Sequence, residues 1–174
     1  MTQTPHGQAF WEFSLRVYAQ PGVQQECLAL QERVRLDVNL LLFCAFAGAK
    51  LGIALSPQEI ADTIALTEAW QDSVVRNLRA VRSAMKRWSE DKTLAITEPA
   101  ATLRLAVKKA ELDSERIEHE MLAGWAANRK AGAALPPQEA VAANIGLLLA
   151  HFSRGSGESA AAPRQLIAAA LNDC

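Results

Sequence analysis

At 174 residues the chain is the size of one domain and long enough to bury a substantial core. Half of it is hydrophobic, only 6% is aromatic, and Val, Ile and Thr form no alternating runs, which favours helix over sheet. With 18 Lys and Arg against 19 Asp and Glu the net charge is −1, so no global field draws the protein to nucleic acid and any binding patch must be local.

The stretch from Met1 to Gln8 lacks a basic region followed by an apolar one, so no secretory signal is expected. A first helix is predicted from about Gln8 to Gln20, with Phe10, Phe13, Leu15, Val17 and Tyr18 on its apolar face and Pro21-Gly22 ending it. A second, from about Val23 to Arg35, carries Cys27, Leu28 and Leu30. The segment Leu36 to Ala49 then opens with Asp37 and Asn39 and has no polar face at all. A helix that is apolar all round is buried on every side, so this one is expected to be a central rod. A buried carboxylate or amide without partners would cost about 1 to 3 kcal/mol, so Asp37 and Asn39 should be satisfied by neighbouring groups or by a ligand. Asp37 stands where an N-cap would, and capping is its plainest role. The apolar run is about a dozen residues, short of the roughly 20 that span a bilayer, so no membrane partner is expected.

Ser56-Pro57-Gln58-Glu59 has the serine, first-turn proline and glutamate of a capping box, and a long helix is predicted from Ile60 to about Trp88. Trp70, Val74, Leu78, Val81, Met85 and Trp88 fall on one side of it, and Arg76, Arg79, Arg82 and Lys86 on another. Thr97-Glu98-Pro99 starts a second long helix reaching about Asn128. Its apolar stripe reads Leu103, Val107, Ala110, Ser114, Ile117, Met121 and Trp125, bordered by Glu111, Glu115 and Glu118. Ala131-Gly132 and Pro136-Pro137 mark a connection before a short apolar helix, Gln138 to Phe152, read as a lid on the bundle. Residues 153–162 read as a flexible linker and 163–174 as a short alanine-rich C-terminal helix. The expected fold is all-α: a single-domain helical bundle over residues 8–152, built round the central helix at about 37–49, with two long antiparallel helices and that short terminal one. No internal repeat is present, and no heptad is sustained long enough for an extended coiled coil.

The strongest constellation is the pairing of the basic row with the acidic one. Consecutive helices joined by a short loop pack antiparallel, so the rows can face one another. The plain reading is a solvated face or a set of inter-helix salt bridges. The sharper one is an arginine-lined pocket for a carboxylate or phosphate, built from Asp37, Asn39, Trp70, Arg79, Arg82 and Glu111. Glu115-x-x-Glu118-His119 alone does not make a di-iron bundle, and Cys27, Cys44 and Cys174 are too widely spaced for a disulfide framework or a metal cluster. Cys44, inside an apolar helix, reads as a small core residue, and a reducing cytosol suits all three cysteines. There is no phosphate-cradling glycine loop, nucleophile elbow or dinucleotide fingerprint, so neither a metal nor a cofactor is expected. Trp11, Trp70, Trp88 and Trp125 lie at or near apolar stripes and are expected in the core; any that proves exposed would mark a partner-binding anchor.

Phe10-Trp11-x-Phe13-Ser14, Tyr18-x-x-Pro21-Gly22-Val23, Cys27-Leu28-x-Leu30-Gln31 and Leu36 to Phe43 together resemble a proteobacterial family of conserved hypothetical proteins, described only as a domain of unknown function. The likeness runs on through Trp70, Leu78-Arg79, Arg82, Lys86 and Ala110-Glu111-Leu112, so it covers roughly residues 10–125. It implies a small cytoplasmic helical protein and supplies no activity. The absence of catalytic signatures from a well-patterned helical core points to a non-catalytic protein-interaction or ligand-binding module. The alternative is a small enzyme or sensor that holds an anionic small molecule through Arg79, Arg82, Asp37 and Glu111. No nucleic-acid binding is expected, because no recognition motif accompanies the basic row.

Overall fold

A computed structural model describes residues 4–129 and 134–173; the expected Ala131-Gly132 connection, the first three residues and Cys174 lie outside the described residues. The protein is all-α. No strand occurs among the described residues, and Ile53 and Ala134 form only an isolated bridge. The helices gather into two compact units, one made of Met1–Leu66 with His119–Cys174 and the other of Thr67–Glu118.

The first unit is built round the apolar rod. Helix α1, Pro5–Tyr18, begins three residues before the expected start, because Thr4 and Pro5 supply an N-cap and a first-turn proline. The Thr4 hydroxyl accepts the Gly7 amide at 3.0 Å. Helix α2, Val23–Val34, follows a glycine at φ 83°, a left-handed conformation that Gly22 adopts without the strain a side chain would bring. Helix α3, Val38–Leu51, is the rod: every residue from Asn39 to Ala49 is buried, and Gly52 ends it. The Asp37 carboxylate accepts the Asn39 amide at 2.8 Å, so the cap expected from the sequence is made. Both limbs of the Ser56–Glu59 capping box are also present, with the Ser56 amide donating to Glu59 at 2.8 Å and the Glu59 amide to Ser56 Oγ at 3.2 Å.

One expectation for the C-terminal third needs correcting. Helix α8 is no short lid: it runs Pro137–Ser156, packs more extensively on α3 than any other helix does, and buries Val141, Ile145 and Leu148 completely. Its Asn144, fully buried, pins the turn after α3. The side-chain oxygen accepts the Leu55 amide at 2.7 Å, and the side-chain NH2 donates to the Ile53 carbonyl at 2.8 Å and the Cys44 carbonyl at 3.2 Å. Helix α9, Arg164–Asn172, packs against α1, α2, α3 and α8 and places Leu166 and Ala170 in the core. The remaining helices are α4, Pro57–Trp70, α5, Arg76–Ala84, α6, Lys86–Glu90, and α7, Thr97–Asn128. The C-terminal part of α7 belongs to the first unit, where His119 stacks on Phe10 at 4.1 Å between ring centres and its Nε2 shares a hydrogen bond with Ser14 Oγ at 3.1 Å.

Candidate functional site

The second unit is a helical hairpin: the end of α4, a π-helical turn at Gln71–Val75, α5 and α6 form one arm, and α7 up to Glu118 the other. Hydrogen bonds fix the arms as antiparallel. Gln71 reaches Glu118, Arg79 reaches Glu111 and Glu115, and Arg104 reaches the Arg82 carbonyl, so the sequence numbers run in opposite directions. The π turn sets the phase. In an unbroken α-helix the eight residues from Gln71 to Arg79 would rotate the second about 80° past the first. The residue taken up by the π turn brings both onto the face that meets α7.

That face is charged. Glu111, with its side chain only 7% exposed, receives both arginines. Arg79 Nε donates to Glu111 Oε1 at 3.0 Å and Arg79 Nη2 to Glu115 Oε1 at 2.8 Å. Arg82 closes a two-pronged pair with Glu111, its Nη2 at 3.1 Å from Oε1 and its Nε on Oε2. Burial pushes the Glu111 carboxyl upward, but the hydrogen bonds and charges of Arg82 and Arg79 outweigh it and hold the group below the usual carboxylate range. On the facing side, burial lowers Arg79 and the two glutamates more than restore it, while Arg82 is raised chiefly by its hydrogen bond to Glu111. Next along the seam, Trp70 Nε1 donates to the Ser114 carbonyl at 3.0 Å and Gln71 Nε2 to Glu118 Oε2 at 2.6 Å.

The apolar stripe expected on α7 is therefore only partly in phase over this stretch: its Ser114 is buried on the seam. Arg104, Glu111, Ser114 and Glu118 face the partner arm, while Leu103 and Ala110 are exposed. Among the described residues of the hairpin Val75 is the one buried hydrophobic side chain. Val81 is 50%, Trp88 39%, Leu103 57% and Leu105 67% exposed, with Ile96 and Leu112 exposed as well. The hairpin has its polar groups inside and its leucines outside, the reverse of a self-sufficient helical pair.

The predicted site residues divide between the units. Trp70, Arg79, Arg82 and Glu111 come together on the hairpin seam as the charge rows suggested. Asp37 and Asn39 lie in the first unit, where Asp37 is turned back on its own helix and Asn39 is buried. Arg76 pairs with Asp72 on its own helix. Burial raises the Cys44 thiol far above its ordinary value and the Cys27 thiol to about 12, with the nearby Glu26 charge adding to the latter, so neither is a ready nucleophile. Sequence reading missed the exposed patch because Leu103 fits an inward stripe; the signal was Arg104, Glu111 and Glu118, spaced by seven along one side of α7.

No group of three or more His, Cys, Asp or Glu side chains among the described residues is placed to hold a metal ion, and no helix there is long and apolar enough to cross a membrane. A family model described as "Protein of unknown function (DUF2390)" matches residues 9–122. No curated protein and no solved structure matches the chain.

Proposed function

The chain belongs to the DUF2390 family of proteins of unknown function, and we propose that it is a non-catalytic, cytoplasmic protein-interaction module whose helical hairpin carries the docking surface. The observation that supports this is the reversed hairpin. Large apolar side chains that could have filled the seam stand in water, while the seam is closed by ion pairs. Full burial of an aliphatic side chain of this size gives roughly 1.5 to 3 kcal/mol, and each of these, exposed over about half its surface, forgoes part of that. A partner covering them recovers that free energy. Trp88 is the anchor that an exposed tryptophan was expected to mark, and the Arg87 guanidinium lies 4.3 Å over its ring. The test is recovery of tagged protein from its host cytosol with mass spectrometry, beside the double variant Val81→Glu, Leu103→Glu. A stoichiometric protein component lost in the variant is expected; wild type that carries no component and does not self-associate overturns the proposal.

A second reading, an anion-binding sensor or small enzyme, has one observation in its favour. Two arginines converge on the single carboxylate of Glu111, so the same fork can take the carboxylate or phosphate of a ligand if Glu111 yields its place. On this reading Glu111→Gln frees the arginines. Isothermal titration of that variant with inorganic phosphate should then show binding stronger than that of wild type, and equal heats of dilution for both would remove the reading.

A further inference from the structure

We infer that the partner of the hairpin is a second copy of this chain, packed antiparallel on the first; the inference rests on the interaction reading above. The seam positions are Gln71, Val75, Arg79 and Arg82 on one arm and Arg104, Val107, Glu111, Ser114 and Glu118 on the other. The residue before each lies about 100° round its helix. Because the arms are right-handed and antiparallel, these preceding positions all fall on one face of the hairpin. That face reads Trp70, Val74, Leu78 and Val81, continued by Met85 and Trp88, on the first arm and Leu103, Ala106, Ala110, Asp113 and Ile117 on α7; Val81, Trp88, Leu103, Ala106 and Ala110 are exposed, while Leu78, Met85 and Ile117 are half-buried. The two alanines keep its centre low, so another pair of helices can approach closely.

Two properties select a second copy. The part of the face from Leu78 to Met85 and from Leu103 to Ala110 carries no charge, so two such faces meet there across a twofold axis without burying like charges. The hairpin is also polarised along its length. Apart from Arg79 and Arg82, which the seam pairs with Glu111 and Glu115, six basic side chains between Arg79 and Lys109, toward the loop, stand against three acidic ones. In residues 67–78 and 110–118, at the open end, the four acidic side chains outside those pairs stand against two basic ones. Antiparallel pairing lays the basic end of each copy on the acidic end of the other, whereas parallel pairing sets like against like. Asp113, exposed and paired with Lys109 of its own helix at 2.5 Å, lies toward the open end, and Arg87, stacked on Trp88, lies toward the loop. The twofold brings Asp113 of each copy to Arg87 of the other. The product is a four-helix bundle whose core is the face that each copy leaves in water.

Sedimentation equilibrium of the full chain across micromolar concentrations tests this. Wild type is expected to be a dimer, and Val81→Glu with Leu103→Glu a monomer that keeps the wild-type circular dichroism. Arg87→Glu alone and Asp113→Arg alone should each weaken self-association by about tenfold or more, as facing like charges do. Mixing those two variants should restore dimers, as should combining them in one chain. Wild type that is monomeric throughout overturns the second copy as partner, as does a dimer that the Val81, Leu103 variant does not weaken. Charge variants that fail to rescue each other overturn the antiparallel pairing. A monomeric wild type that still captures a different protein through Val81 and Leu103 leaves the interaction reading standing, which separates the two failures.

Discussion

Gly48 lies against the backbone of Val141: a Cβ on Gly48 would stand 2.5 Å from the Val141 amide nitrogen and 2.8 Å from its Cα. Helices α3 and α8 therefore touch main chain to main chain at this point. A methyl group there meets backbone, which cannot swing aside as a side chain does. Gly48→Ala should cost at least the roughly 1 to 3 kcal/mol of an overpacked core, even though alanine is the better helix former. Chemical denaturation with an unchanged m-value would register it; a melting point at or above wild type would show that the two helices part easily.

Leu166 tests the place of α9 in the core. It is fully buried in the same cluster as Leu41 and Phe43 of the rod. Leu166→Ala should therefore destabilise on the same scale as Leu41→Ala, roughly 2 to 5 kcal/mol. Deleting residues 157–174 should do more, by opening the faces of α1, α2 and α3 that the helix covers. Cooperative melting of the truncated chain near the wild-type temperature would contradict this placement.

Asn144 is held by three hydrogen bonds, so replacing it strands the Leu55 amide and the Ile53 and Cys44 carbonyls. Leaving such groups buried and unsatisfied costs about 1 to 3 kcal/mol each where water cannot enter. Asn144→Leu keeps the volume and removes the bonds. It should destabilise by at least one such increment and speed amide exchange at Leu55; unaltered exchange there would show that the turn after α3 holds without it.

The acid limb of stability should depend on Asp173. Its carboxyl is drawn down from 3.8 to about 2 chiefly by the hydrogen bond from Arg16; burial opposes this, and the hydrogen bond and charge of Lys50 add to the lowering. A carboxyl depressed in the folded state contributes stability that is fully present above about pH 4 and is lost as pH falls toward 2. Asp173→Asn should melt lower than wild type at neutral pH and converge with it in acid. Parallel melting curves down to pH 2 would exclude the linkage.

Much of the first unit is legible because its signals are local. Asp37 before an apolar run and Ser56-Pro57 with Glu59 specify helix starts within a few residues, and the structure places them there. The role of α8 was hidden because nothing local to Gln138–Phe152 says that its partner is Gly48, some ninety positions earlier. For the hairpin, the charge rows named Arg79, Arg82 and Glu111 correctly as neighbours. The phase of α7 was only partly read because a periodicity argument assumes that apolar residues fill a seam, and here buried ion pairs do. The π turn has no marker in Gln71–Val75, yet it aligns the arginines. Asp37 and Asn39 were grouped with the arginines on polarity alone, which says nothing about distance.

The division into units also bears on how the protein is made. The hairpin is one continuous stretch, whereas the first unit joins Met1–Leu66 to His119–Cys174 and needs Leu166 of α9 to fill its core. At roughly 5 to 20 residues per second a ribosome takes on the order of ten seconds to travel from the end of the first stretch to α9. For the second half of that interval the whole hairpin sequence has been made, with Val81, Trp88 and Leu103 uncovered, while α3 still lacks α8 and α9. Nascent chains on one polysome are then neighbours presenting the same adhesive surface before either has finished folding. Expression at low temperature, or with a holdase chaperone, should raise the yield of this protein through that window alone.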